Sequence, residues 1–173
     1  MRRQFRWNSA RGAISAVGIS LVPVSRRKQR IFVVGGLRSD ALRELGADEA
    51  ISRETDLIVL PGSNSVDVVI DLVAGDKWPQ YLEVLRPGGR YAVAGAIAGP
   101  LVELDVRTLY LKDLSLFGCT VLEPEVFNNL IKRIEQGEIK PVVAQVFNLE
   151  EICDAQTFFL KKQHVGKIVL TIK

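Results

Sequence analysis

A chain of 173 residues with 47% apolar side chains is long enough for one α/β domain with a sizeable core and one short extension. No apolar run reaches the ~20 residues that a membrane span needs, because Pro23, Asp71 and Asp76 interrupt the longest candidates. The net charge of +3 is unevenly placed: nine of the 23 basic residues and none of the 20 acidic ones precede Asp40, which leaves a balance of −6 over the rest.

An Arg-rich, acid-free start fits an organelle transit peptide or a nucleic-acid arm. The bland alternative is a solvated lead-in followed by the exposed face of a helix. Aromatics near these arginines are few (Phe5, Trp7) and form no stacking platform. The bland reading is preferred, and neither nucleic acid nor a membrane is expected as a partner. Cys119 and Cys153 lie far apart in sequence, so neither a disulfide framework nor a zinc site is expected, and a reducing cytoplasm fits.

Residues 1–11 read as a basic lead-in without a convincing core strand, although Phe5 and Trp7 alternate with arginines as in a short edge strand. The domain itself is expected over residues 12–173. Gly12–Gly18 (GAISAVG) is a small-residue turn. Ile19–Arg30 has Leu21, Val22 and Val24 as apolar positions and basic residues at its end, which suits a helix C-terminus. Pro23 opposes that reading, since a mid-helix proline costs ~3 kcal/mol. Ile31–Val34 is a short buried strand ending at Gly35-Gly36, and Ser39–Leu45 is a helix stopped by Gly46. Ala47–Ile51 leads into another short strand, and Pro61-Gly62-Ser63-Asn64 forms a turn.

Val66–Gly95 is the clearest unit. Val66–Val73 is a nearly continuous run rich in β-branched residues, as in a strand buried on both faces. Tyr81, Leu82, Val84 and Leu85 then make the apolar stripe of a helix, Pro87-Gly88-Gly89 ends it, and Tyr91–Ala94 begins a second buried strand. Strand, helix and strand in this order imply a parallel sheet with right-handed crossovers. Such sheets bind ligands at the carboxyl ends of their strands.

Leu101–Val106 alternates apolar and charged residues like an edge strand, and Arg107–Asp113 is a turn of helix. Leu114–Gly118 is another strand, and Cys119 at its end is expected to be a small buried residue. Val126–Ile134 is an amphipathic helix with Gly137 as its stop. A strand with a cap follows at Gln145–Asn148, then a helix at Leu149–Leu160 with Ile152, Ala155, Phe158 and Phe159 inward. His164-Val165-Gly166, with a surface histidine, turns into a closing strand over Lys167–Ile172.

Three places could carry chemistry. Gly12-x-x-Ser15-x-x-Gly18 offers the small residues with which backbone N–H groups reach a pyrophosphate at a helix N-terminus; a plain surface turn explains it equally well. Gly35-Gly36-Leu37-Arg38-Ser39 follows a strand at the point where such sheets meet an adenosine ribose. An acid there binds a 2′-hydroxyl, whereas Arg38 and Ser39 suit a 2′-phosphate and favour NADP over NAD; alternatively Arg38 only solvates a helix start. The loops Val73-Ala74-Gly75 and Gly95-Ala96-Ile97 are small enough for a flat ring to lie against the strand ends, or are simply tight turns. Asp67 and Asp71 share one strand face and are read as capped or salt-bridged rather than as an acid–base pair.

From about Gly35 to Lys173 the chain resembles the nucleotide-binding half of the medium-chain dehydrogenases/reductases, the zinc-type alcohol dehydrogenase and quinone oxidoreductase family. The resemblance rests on ALRELGADEAI (Ala41–Ile51), VDVVIDLVAG (Val66–Gly75), LRPGGRYAVAGAIAG (Leu85–Gly99), LYLKDLSLFG (Leu109–Gly118) and HVGKIVL (His164–Leu170), in that order and spacing. GAISAVGISLV (Gly12–Val22) is similar to an altered copy of the family's pyrophosphate turn. The resemblance implies a Rossmann-like, doubly wound parallel sheet whose N-terminal strand is degraded or missing. It also implies NAD(P)H-dependent hydride transfer to or from a carbonyl, alcohol or quinone.

By motif matching, Ser15, Ala16 and Val17 would lie by the pyrophosphate, and Gly35 and Arg38 by the 2′-phosphate. Val73, Ala74, Gly95, Ala96, Ile97, Phe117 and Gly118 would line the groove from adenine to nicotinamide. Leu101–Gly118 looks like the edge that pairs subunits in the family's homodimers. The family's substrate domain with its zinc ligands has no counterpart in this sequence, so neither catalytic residues nor zinc are assigned to it. A small-molecule substrate is expected only if a catalytic domain completes the chain. The alternative is a truncated, non-catalytic remnant or a dimerisation module.

Overall fold

In the computed structural model, which describes residues 4–9, 29–35, 39–120, 123–161 and 163–172, the chain forms two compact units. Among the described residues, the first comprises 4–9, 29–35 and 39–120, and the second 123–161 and 163–172. In chain order the first unit holds strand β1 (Gln4–Ser9), strand β2 (Gln29–Gly35), helix α1 (Ser39–Glu44) and strand β3 (Glu49–Ser52). Strand β4 (Val66–Asp71), helix α2 (Trp78–Val84), strand β5 (Leu85–Val93), helix α3 (Val106–Leu111) and strand β6 (Ser115–Gly118) follow.

The six strands form one parallel sheet in the order β3-β2-β1-β4-β5-β6. The winding direction reverses between β1 and β4, as in a doubly wound Rossmann-like sheet. The strand expected to be degraded or missing is therefore present and central, since Gln4–Ser9 pairs with β2 on one side and β4 on the other. The sequence hid it because central parallel strands are usually continuous apolar runs, whereas here arginine and asparagine interrupt the aromatics. Backbone hydrogen bonding, which is indifferent to side chains, sets its place. Gln29 and Arg30, expected at a helix end, open β2. The turn Gly12–Gly18 and the rest of that expected helix lie outside the described residues.

The core of this unit is the one the apolar runs announce. Phe32, Val34, Ile51, Val66, Val69 and Tyr91 of the strands bury against Trp78, Tyr81, Leu82 and Val84 of α2. Each large side chain so buried contributes roughly 1.5–3 kcal/mol. Trp78 meets Tyr91 edge to face, with ring centroids 4.8 Å apart. The buried Asp67 pairs with Arg86 at 2.5 Å, which fits the ion-paired role read from sequence. At the far end of α2, the Lys112 ammonium donates to the carbonyls of Leu82, Glu83 and Leu85 at 2.9–3.3 Å. It thereby satisfies orphan acceptors at the helix C-terminus and ties α3 to α2.

Leu101–Val106 and Cys119 also depart from expectation in this unit. Leu101–Val106 is not a strand: Asp105 caps α3 by accepting from the Arg107 amide at 2.9 Å, and Val106 is already helical. Alternation alone suggested a strand, and the capping aspartate overrules it. Cys119 is exposed rather than buried, because it lies one residue beyond β6 at the edge of the sheet.

The second unit contains helix α4 (Pro124–Glu135), strand β7 (Val143–Asn148), helix α5 (Ile152–Leu160) and strand β8 (Lys167–Thr171). β7 and β8 pair in parallel, with α5 as the crossover. Glu125 in the first turn of α4 and Lys132 and Arg133 in its last complement the helix dipole. Asn148 and Glu151 form a reciprocal capping box before α5, the Glu151 carboxylate accepting from the Asn148 amide at 2.7 Å. Ala155 is buried as expected, but Ile152 and Phe159 are exposed. His164, read as a surface residue, is half-buried and stacks on Phe158 with centroids 5.4 Å apart. No helix among the described residues is long and apolar enough to cross a membrane.

Candidate functional site

Strand register places the carboxyl ends of the whole sheet on one line. Ser52 lies opposite Gly35, Val34 opposite Ser9, Ser9 opposite Asp71, Asp71 opposite Val93, and Val93 opposite Gly118. The small-residue loops predicted to carry chemistry leave this line after β4 and β5. A reversal of winding direction at the carboxyl end of a parallel sheet leaves a crevice between diverging loops, which is where such sheets bind ligands.

The loop after β4 is built around Asp71. Its side chain is fully buried. One carboxylate oxygen accepts from the amides of Val73 at 2.8 Å and Ala74 at 3.1 Å. The other accepts from the Tyr91 hydroxyl of β5 at 2.5 Å. Three donors thus offset the desolvation of one buried carboxylate. Burial first, and then the hydrogen bond to Asp71, push the Tyr91 phenol well above its ordinary range, so it stays protonated as a donor.

Past Asp71 the backbone turns sharply. Ala74 sits at φ 53° and ψ −146°, a region of backbone space that side chains disfavour by roughly 1–3 kcal/mol. The loop after β5 then joins it. The Ala98 amide donates to the Val73 carbonyl at 2.9 Å, and Ala74 and Gly99 form a parallel bridge. Glycine is required where the loops touch. A Cβ on Gly95 would lie 2.6 Å from the Leu72 carbonyl oxygen, and one on Gly75, at φ 77°, would lie 2.8 Å from the Ala98 Cβ. The ladder also runs past the strand ends, from the Ala94 amide to the Asp71 carbonyl and from the Cys119 amide to the Val93 carbonyl.

The predicted site residues divide into three sets on this frame. Val73 and Ala74 are buried and form the floor of the loop after β4. Gly95 is half-buried, Ala96, Ile97, Phe117 and Gly118 are exposed, and a Cβ on Gly118 would meet nothing within 4 Å. Gly35 closes β2. Ser15, Ala16, Val17 and Arg38 lie outside the described residues. The sequence reading missed Tyr91 as the partner of Asp71, since nothing local links residues twenty positions apart. No group of three or more His, Cys, Asp or Glu side chains able to hold a metal gathers among the described residues.

Comparison with known proteins gives this frame its family. A family model described as zinc-binding dehydrogenase matches residues 45–170. Quinone oxidoreductase-like protein 2 of Bos taurus is 26% identical over 179 residues, covering 93% of this chain and 51% of its own length. A crystal structure of a putative alcohol dehydrogenase from Sinorhizobium meliloti 1021 superposes with a TM-score of 0.83 at 37% identity, covering 97% of this chain and 48% of that one. The fold is also shared, with a TM-score of 0.83 at 21% identity, by an alcohol dehydrogenase from E. coli CFT073 solved with NADH; there 98% of this chain and 52% of the other are covered. The chain spans about half the length of the relatives it matches. It belongs to the zinc-binding dehydrogenases, within the medium-chain dehydrogenase/reductase family, and corresponds to their C-terminal nucleotide-binding domain.

Proposed function

We propose that this chain is the cofactor-binding part of an NADP(H)-dependent oxidoreductase that moves a hydride to or from a carbonyl, alcohol or quinone. The observation that carries the reading is the line of six strand ends at the point where winding reverses, with its small-residue loops. The residues present fit a dinucleotide, because Ala96 and Gly118 leave open, uncharged surface along that line. The NADH in the E. coli relative supports a nicotinamide cofactor in this fold. Arg38 and Ser39 support the phosphorylated form, since a guanidinium binds a 2′-phosphate where an acid would repel it.

A bound nicotinamide cofactor supplies the hydride. The chain's own residues bind and orient. Ser15, Ala16 and Val17 would lie by the pyrophosphate, and Gly35 and Arg38 would hold the 2′-phosphate. Val73, Ala74, Gly95, Ala96, Ile97, Phe117 and Gly118 would line the groove from adenine to nicotinamide. The substrate pocket would come from a catalytic domain beyond the part matched here. The β6 edge, with Leu116 and Phe117 exposed, would pair with a second copy, and a cytoplasmic setting suits two free thiols.

Titration of the 173-residue chain with NADPH and NADH, followed by fluorescence and calorimetry, tests this. Saturable binding with NADPH tighter is expected. No saturable binding of either would reject the reading in favour of a non-catalytic module. Arg38→Ala should weaken NADPH more than NADH, and equal effects would remove the 2′-phosphate assignment.

A further inference from the structure

The carboxylate of Asp71 and the hydroxyl of Tyr91 are buried, charged or polar, and among the described residues they are spent on neither an ion pair nor a surface contact. Stability alone could be served by apolar residues of similar size, because a buried charge is no cheaper than a packed side chain. What the pair does accomplish is geometric. Asp71 grips the Val73 and Ala74 amides and so holds Ala74 in its unfavourable backbone conformation. Val73 and Ala74 in turn fix Ala98 and Gly99. That fixes both ends of the segment Gly95–Gly99, whose start is already pressed against Leu72. One carboxylate therefore sets the position of two loops at the ends of neighbouring strands.

Both loops lie on the β4–β6 side of the reversal, whereas β2, at whose end an adenosine ribose would sit, lies on the other. The two sides of such a sheet take the two mononucleotide halves of a dinucleotide. We infer that the Asp71–Tyr91 pair is a positioning device for the nicotinamide ring. It holds the loops after β4 and β5 at the spacing the ring requires and has no part in holding the adenosine half. The inference rests on the dinucleotide reading above and adds to it a residue pair that touches no cofactor itself.

The test uses two ligands that differ only in the ring. The first is whichever of NADPH and NADH the unaltered chain binds more tightly. The second is ADP-ribose bearing the same 2′ substituent. Both are titrated into the full chain and into folded Tyr91→Phe and Asp71→Asn variants. Tyr91→Phe keeps the carboxylate and its two amide bonds, so it serves even where the Asp71 variant does not fold. The variants should bind the dinucleotide about tenfold more weakly, a loss of about 1.4 kcal/mol in affinity. ADP-ribose should bind within about twofold of the unaltered chain, as expected for a half of the ligand that the device does not hold. A general loss of structure would weaken both ligands alike, and that result, like no weakening of either, overturns the inference. Failure of the unaltered chain to bind any dinucleotide is a different outcome, and it rejects the cofactor reading itself.

Discussion

β4 and β7 are both six-residue strands that pair in parallel with a later strand, and a polar side chain closes the turn after each. They differ in where that closure happens. After β4 the closing group is a fully buried carboxylate with three donors. After β7 it is the capping box of Asn148 and Glu151, exposed to water. The same device therefore carries different consequences. Water can replace a partner lost at the surface, but nothing can replace one lost beside Asp71. A buried closure is a commitment of the fold, whereas an exposed one is a local adjustment.

Breaking the buried closure should show the largest effect. Asp71→Ala orphans two amides and a phenol, and should cost about 3–5 kcal/mol in chemical denaturation; a loss under 1 kcal/mol would mean that water enters the site. Gly95→Ala should follow at about 3 kcal/mol, the upper range for overpacking, because its Cβ would press on the Leu72 carbonyl. Tyr91→Phe should cost about 1.5 kcal/mol at neutral pH, the value of one hydrogen bond to a charged group. The tyrosine also gives a pH signature. Its proton is held more tightly in the folded chain than in the unfolded one. Its contribution is therefore complete below about pH 10 and declines as pH rises above that value, where the unfolded phenol ionises. Stability measured from pH 9 to 11 should fall less steeply in Tyr91→Phe than in the unaltered chain. Glu151→Ala, which opens the exposed box, should cost only about 0.5–1 kcal/mol. A larger loss there would erase the contrast between the two closures.

The parts legible in the sequence are those where burial and pattern agree. Val66–Val73 reads as a doubly buried strand, and the structure has that strand over Val66–Asp71; of the expected helix stripe, Tyr81, Leu82 and Val84 are buried on α2, whereas Leu85 opens β5. Where one local signal competes with another, the reading fails. Arginines mask the strand Gln4–Ser9, whose place comes from two neighbours distant in sequence. Alternation at Leu101–Val106 conceals the cap at Asp105. In the site, small residues announce the loops after β4 and β5, because close backbone approach demands them. The pairing of Asp71 with Tyr91 was not announced, because a hydrogen bond across twenty residues leaves no mark on either local sequence. Exposed Cys119 and half-buried His164 show the same limit, since solvent exposure at a strand end or turn depends on what the rest of the chain brings beside it.

The stitching of the two loops also bears on how the molecule breathes. Amide protons at Ala94, Ala98 and Cys119 all lie outside the strands, yet each is bonded to a carbonyl of a neighbouring segment. They should exchange with deuterated solvent more slowly than unbonded loop amides do, opening with the sheet rather than ahead of it. A rim that is rigid before a ligand arrives has little disorder left to surrender on binding, so the entropy of association is left mainly to the ligand and the water it displaces.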